Sequence, residues 1–302
     1  MILILALAVM LAIFFVSVSI LLMIVGPTIL LKPRRRLADF YRALHQPILP
    51  TDAGIPFEPI TVEVDDTLKL DCWLVKAAHP ARGTIIYLHG VGDCKIDGIR
   101  FARLMHEHDY NIFLYDSRCH GNSGGKFCTY GFYEKFDLTL IINYLFSRDD
   151  LTIGKIGLFG TSMGAAVALQ AASIDKRIAA VVAENSFATL RTIFDDYQKR
   201  IIKLPFHFLR NLVIKRSEVL AAFKAREVSP LDSISGLHIP ILLVCGTADH
   251  LIDSRYTMGL YEKANQPKEL FAIDGAKHND TWKIGGVAYE ARLVQFFDRR
   301  LA

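Results

Sequence analysis

The stretch Lys155-Ile-Gly-Leu-Phe-Gly160-Thr161-Ser162-Met163-Gly164-Ala165-Ala166-Val167-Ala168-Leu169 constrains the fold more than any other part of the chain. A short apolar run, Ile156 to Phe159, leads through Gly-x-Ser-x-Gly into an Ala-rich helical pattern, so a strand must become a helix within a few residues. A turn this sharp forces unusual backbone angles on the serine, and a Cβ at position 160 or 164 would collide with the strand or helix beside it. The Ser162 Oγ is then exposed at a helix N-terminus. The backbone N–H of Met163 lies where negative charge would build on an attacked carbonyl oxygen. Gly-x-Ser-x-Gly alone also fits an ordinary β-to-α turn; the flanking strand and helix make Ser162 a candidate nucleophile.

The N-terminus sets a second constraint, because residues 1–31 carry no charged side chain. About 20 helical residues cross a hydrocarbon core of ~30 Å, so Ile2 to about Val25 suffices for a transmembrane helix, with Gly26-Pro27 marking its exit or a kink. A cleaved signal peptide fits less well. No cation precedes the apolar stretch, the stretch is too long for a signal core, and no small-x-small site precedes Lys32. The cluster Lys32-Pro-Arg34-Arg35-Arg36 follows at once, reads as a stop-transfer and lipid-headgroup contact, and predicts a single-pass membrane protein with its C-terminal domain on the cytoplasmic side. Setting these four cations aside leaves 31 basic against 31 acidic residues, a balance that argues against a nucleic-acid partner. The five cysteines, Cys72, Cys94, Cys119, Cys128 and Cys245, have no Cys-x-x-Cys spacing and read as reduced thiols.

After the anchor (1–31) and a basic flank and linker (32–56), the pattern at 57–302 is that of one large α/β domain. Phe57 to Val64 and Leu68 to Lys76 read as an antiparallel hairpin. Gly83 to His89 and Asn111 to Tyr115 read as buried strands, Ile99 to Asp109 and Tyr133 to Ser147 as helices, and Ile178 to Glu184 as another strand. This alternation predicts a mostly parallel sheet with helices on both faces, the hairpin extending its edge. At about 188–239 the alternation stops; aromatic and basic residues at helical spacing, as in Leu204 to Arg210 and Leu212 to Arg216, predict a helical lid insertion. Strands resume at Pro240 to Cys245 and Glu269 to Ile273, with helices at Tyr256 to Ala264 and Tyr289 to Leu301.

Acyl transfer by serine needs a base, an acid to orient it, and oxyanion donors. Asp249 follows the strand ending at Cys245, and His278 follows the last strand, so Ser162, Asp249 and His278 converge at the carboxyl edge of the sheet. His250 is a weaker candidate base; Asp274 and Asp280 are weaker candidate acids. His89 ends a buried strand and reads as a brace for the loop whose Val91 N–H would be the second oxyanion donor beside Met163. His120 reads as shaping the neighbouring loop, with Arg118 pairing to a carboxylate. His106-Glu107-His108-Asp109 lacks metal-site spacing, and Gly90-Val-Gly92 lacks the rest of a dinucleotide fingerprint, so neither a metal nor a cofactor is expected.

The His89-Gly90 loop, Asp116-x-Arg118-x-His120-Gly121-x-Ser123-x-Gly125, Gly160-x-Ser162-x-Gly164, Gly246-x-x-Asp249 and Gly275-x-x-His278 together resemble the α/β-hydrolase superfamily across roughly residues 57 to 302. Within it the chain resembles membrane-anchored α/β-hydrolase-domain proteins and the serine aminopeptidase-like group. Cys119 departs from the pattern, which usually has glycine there. The resemblance implies a Ser-His-Asp hydrolase of an ester, thioester or amide. The lid and the tether favour a small-molecule or lipid-like acyl substrate; a peptidase, or a non-catalytic binding protein on the same fold, are the alternatives. No sequence feature specifies an oligomeric state.

Overall fold

The computed structural model describes residues 1–199 and 207–301. The chain opens with helix α1 (Ile2–Leu31), which runs through Gly26-Pro27 rather than ending there. The reason is tertiary. Pro27 and Leu31 are buried, and Gly26 lies so close to the lid helix described below that a Cβ on it would stand 2.7 Å from a Val213 methyl. The 30-residue helix is about 45 Å long against a hydrocarbon thickness of ~30 Å, so its last turns can dock on the domain while the rest remains exposed. A short helix α2 (Ala38–Ala43) and a 3-10 turn (Pro50–Ala53) follow within the linker.

Among the described residues the domain is built on an eight-stranded sheet. In chain order its strands are β1 (Glu58–Glu63), β2 (Lys69–Val75), β3 (Thr84–Leu88), β4 (Asn111–Tyr115), β5 (Ile156–Thr161), β6 (Ile178–Glu184), β7 (Ile241–Gly246) and β8 (Lys268–Ile273), arranged β1-β2-β4-β3-β5-β6-β7-β8. The β1–β2 hairpin is antiparallel and joins β4 antiparallel, at the edge where the sequence places it; β3 to β8 pair in parallel. Every residue of β3, β4 and β7 is buried, as their unbroken apolar runs require. Helices α4 (Glu134–Phe146), α5 (Met163–Ala172), α8 (Pro230–Ser235) and α9 (Ser254–Lys263) cover one face. Helices α3 (Ile99–His106) and α10 (Thr281–Leu301) cover the other. α10 begins well before Tyr289, with a non-helical residue at Gly286; Tyr289 and Leu293 are buried beyond that break.

Between β6 and β7 the described lid comprises α6 (Leu190–Tyr197), α7 (His207–Ala221) and α8; the expected segment Leu204 to Phe206 lies outside the described residues. α7 packs along the C-terminal turns of α1 through Val213. Leu31 shares a third apolar cluster with Phe187, Phe194, Phe223, Ile252 and Tyr256, so the end of α1 is part of the lid's own core. All five cysteines are free and buried.

Candidate active site

Ser162 sits between β5 and α5 with φ 53° and ψ −114°, a conformation that side chains rarely adopt. Its N–H donates to the Glu184 carbonyl at 2.8 Å and its carbonyl accepts from Ala166 N–H at 3.2 Å, so backbone on both sides holds the corner. A Cβ on Gly160 would collide with the Gly164 carbonyl, and one on Gly164 with the Leu88 carbonyl. The sequence therefore permits this turn only with glycine at both places. Met163 is the first residue of α5, where a helix leaves its N–H groups without an intrahelical carbonyl.

The side chains of Ser162, Asp249 and His278 meet although they come from three distant segments. His278 Nε2 lies 3.0 Å from Ser162 Oγ, and His278 Nδ1 lies 2.6 Å from Asp249 Oδ2. Asp249 Oδ1 accepts from Leu251 N–H at 2.7 Å and Ile252 N–H at 2.9 Å. The Asp249 side chain is fully buried and that of His278 is 13% exposed. An ionised carboxylate only accepts, so the imidazole carries its proton on Nδ1 and offers the Nε2 lone pair to the serine hydroxyl.

His89 is buried beside this corner. Its Nε2 accepts from Ser117 N–H at 2.9 Å, so its proton is on Nδ1, which donates to the Gly90 carbonyl at 2.8 Å. Burial pushes its pKa down, keeping this tautomer neutral. The Gly90 carbonyl belongs to the same peptide unit as the Val91 N–H, and Asp93 N–H also donates to it at 3.2 Å. The peptide plane is thereby fixed from its oxygen side, with the N–H directed oppositely. A Cβ built on Gly90 would lie 3.4 Å from Ser162 Cβ, which places this turn against the serine.

The remaining sequence candidates lie elsewhere. His250 is exposed, Asp274 accepts from Thr247 Oγ1 at 3.0 Å, and Asp280 accepts from Lys277 N–H within its own turn. Of the 106–109 cluster, Glu107 pairs with Arg103 and Asp109 with His79. Arg118 pairs side by side with buried Asp137, as expected of a carboxylate partner. His120 Nδ1 bonds the Arg118 carbonyl at 2.8 Å, and burial followed by neighbouring His89 pushes its pKa down to about 4. Cys119 has φ 65°, the left-handed region, which explains why glycine suits this position; its Sγ points at the Leu31 carbonyl.

Three supporting features escaped sequence reading. Asn185, at φ 51°, accepts from Gly246 N–H at 3.1 Å and donates to the His278 carbonyl at 3.3 Å, linking the ends of β6 and β7 to the histidine loop. Glu184 is buried with Thr281 and Tyr289 hydroxyls on its carboxyl, and burial raises its pKa. A carboxylate and an amide ending an apolar strand were the available signal. The third is the basic flank: Arg35 donates to the carbonyls of Gly121 at 3.1 Å, Ser123 at 2.7 Å and Gly125 at 3.3 Å, and Arg36 pairs with Asp93. Three of the four cations thus bind the domain, since Lys32 also lies over the Phe127 ring with its Nζ 5.8 Å from the centre.

A family model described as the α/β hydrolase fold matches residues 83–227. The uncharacterized protein YqkD of Bacillus subtilis is 32% identical over 228 residues, covering 74% of this chain and 73% of that protein. The chain belongs to the α/β-hydrolase family. An uncharacterized membrane protein of Saccharomyces cerevisiae, YNL320W, is 26% identical over 77% of each chain. Among solved structures, the esterase Pf2001 of Pyrococcus furiosus superposes with a TM-score of 0.73 at 26% identity, over 90% of this α/β hydrolase and all of that chain. α1 is long and apolar enough to cross a membrane.

Proposed function

We propose that this α/β hydrolase is a membrane-anchored serine hydrolase that cleaves an ester or thioester of a lipid-like acyl substrate. The observation that carries the reading is the continuous chain from Asp249 through His278 to Ser162 Oγ, with contacts of 2.6 and 3.0 Å. In this reading His278 Nε2 takes the hydroxyl proton as Ser162 Oγ attacks the acyl carbon. Asp249 holds the tautomer and stabilises the imidazolium, and the N–H groups of Val91 and Met163 receive the oxyanion. The protonated histidine then hands its proton to the leaving oxygen or sulfur, and water repeats the sequence on the acyl-enzyme. The esterase likeness supports this reaction class, and the lid packed on α1 supports a substrate presented at a bilayer.

Fluorophosphonate labelling of wild type and Ser162→Ala tests the reading, followed by hydrolysis of an acyl-chain ester and thioester series. Labelling of wild type alone, with turnover rising with chain length, is expected; a folded wild type that does not label sinks it. The cationic flank supports a cytoplasmic domain, and a reporter fused to the C-terminus that reads outside would reverse that orientation.

A further inference from the structure

Resting on the hydrolase reading above, we infer that Arg36, in the juxtamembrane strap between α1 and α2, is a positioning residue for the oxyanion donor Val91. The strap touches the turn Gly90-Val91-Gly92-Asp93 at two points. Arg36 N–H donates to the Gly92 carbonyl at 3.0 Å, and the Arg36 guanidinium pairs with the Asp93 carboxylate. Asp93 is the residue whose own N–H holds the Gly90 carbonyl, the oxygen end of the peptide unit that carries the Val91 N–H. The strap therefore acts on the donor through the Gly92–Asp93 peptide unit, whose carbonyl accepts from Arg36 N–H and whose own N–H donates to the Gly90 carbonyl.

The strap is itself fixed. The Arg36 guanidinium stacks 4.5 Å from the centre of the Phe40 ring, and the Tyr41 hydroxyl donates to Asp93 at 3.3 Å while accepting from Cys94 N–H at 3.3 Å. Upstream, the Leu31 carbonyl accepts from Cys128 N–H at 2.8 Å and the Leu30 carbonyl from Tyr130 OH at 2.7 Å. The end of the apolar helix, the strap and the donor turn thus form one bonded path. A lipid-facing stop-transfer cluster needs none of these contacts.

The test uses the full chain in detergent with Arg36→Ala, Arg36→Lys and, as an exposed control paired to Asp39, Arg42→Ala. Arg36→Ala is expected to lower kcat about 10- to 100-fold, because displacements of about 1 Å cost rates on that scale, while KM stays within about twofold. Arg36→Lys keeps the charge and should recover most of the loss; Arg42→Ala should match wild type. An Arg36→Ala enzyme with wild-type kcat, or one whose loss lies wholly in KM, overturns the inference. Should Arg36→Ala not fold, Asp93→Asn removes the same ion pair and must show the same kcat loss. Amide hydrogen exchange of residues 89–94 reads the turn independently of turnover: faster exchange in Arg36→Ala supports the inference and unchanged exchange overturns it. Failure of wild type to label would instead fall on the hydrolase reading.

Discussion

On one side of Ser162, the groups that would move its proton are held by the sheet itself: Asp249 takes two backbone N–H groups from its own loop, and the His278 carbonyl is tied to Asn185 at the end of β6. On the other side, the turn at 90–93 is held by His89 from the end of β3 and by Arg36 from a segment outside the sheet. The Ser162–His278–Asp249 side is therefore held within the fold, whereas in our proposal the oxyanion side borrows part of its rigidity from the strap that follows α1. Polar groups buried in the sheet edge have fixed partners over a short path. A surface turn must find its restraint from whatever segment lies across it.

The largest effect should come from breaking the internal side. Asp249→Asn leaves the geometry but removes the acceptor that sets the His278 tautomer, and kcat should fall about 10⁴-fold in steady-state hydrolysis. A loss below about tenfold would mean that another group orients the imidazole. On the donor side His89→Ala frees the Gly90–Val91 peptide plane; kcat should drop about 100-fold with KM nearly unchanged, as for loss of one oxyanion donor. If KM carried the loss, His89 would belong to substrate binding.

Asn185→Ala sharpens the contrast at smaller scale. It removes one carbonyl tether behind His278 while Asp249 stays, so a kcat loss of about tenfold is expected. Wild-type kcat would show that Asp249 alone suffices. The smallest effect separates the two sides by pH. His120, its ring tilted against that of His89 at 5.1 Å, stays neutral in the fold with its pKa pushed down to about 4, below the ordinary 6.5. The unfolded chain takes up that proton first, so stability falls as pH drops through about 6.5 and levels off near the folded value. By pH 5 the cost is about 2 kcal/mol. Thermal unfolding of wild type should therefore lose several degrees more between pH 7 and pH 5 than His120→Gln; equal slopes would remove His120 from the account.

The sequence by itself determined the sheet, the sharp turn at Ser162 and the order of the three meeting side chains, because each rests on local rules. Unbroken apolar runs make buried strands, and glycine is required where a Cβ would strike a carbonyl. Groups following parallel strands must gather at one edge. The helix through Gly26-Pro27, the early start of α10 and the roles of Asn185 and Glu184 were decided by packing between segments far apart in the chain. Arg35 and Arg36 make the point most sharply. In sequence they are part of a cationic cluster after an apolar helix, which reads the same whether the guanidinium groups face phosphates or carbonyls. Only the tertiary structure brings Asp93 and the 121–125 loop within their reach, because an ion pair between residues so far apart leaves no periodicity to detect.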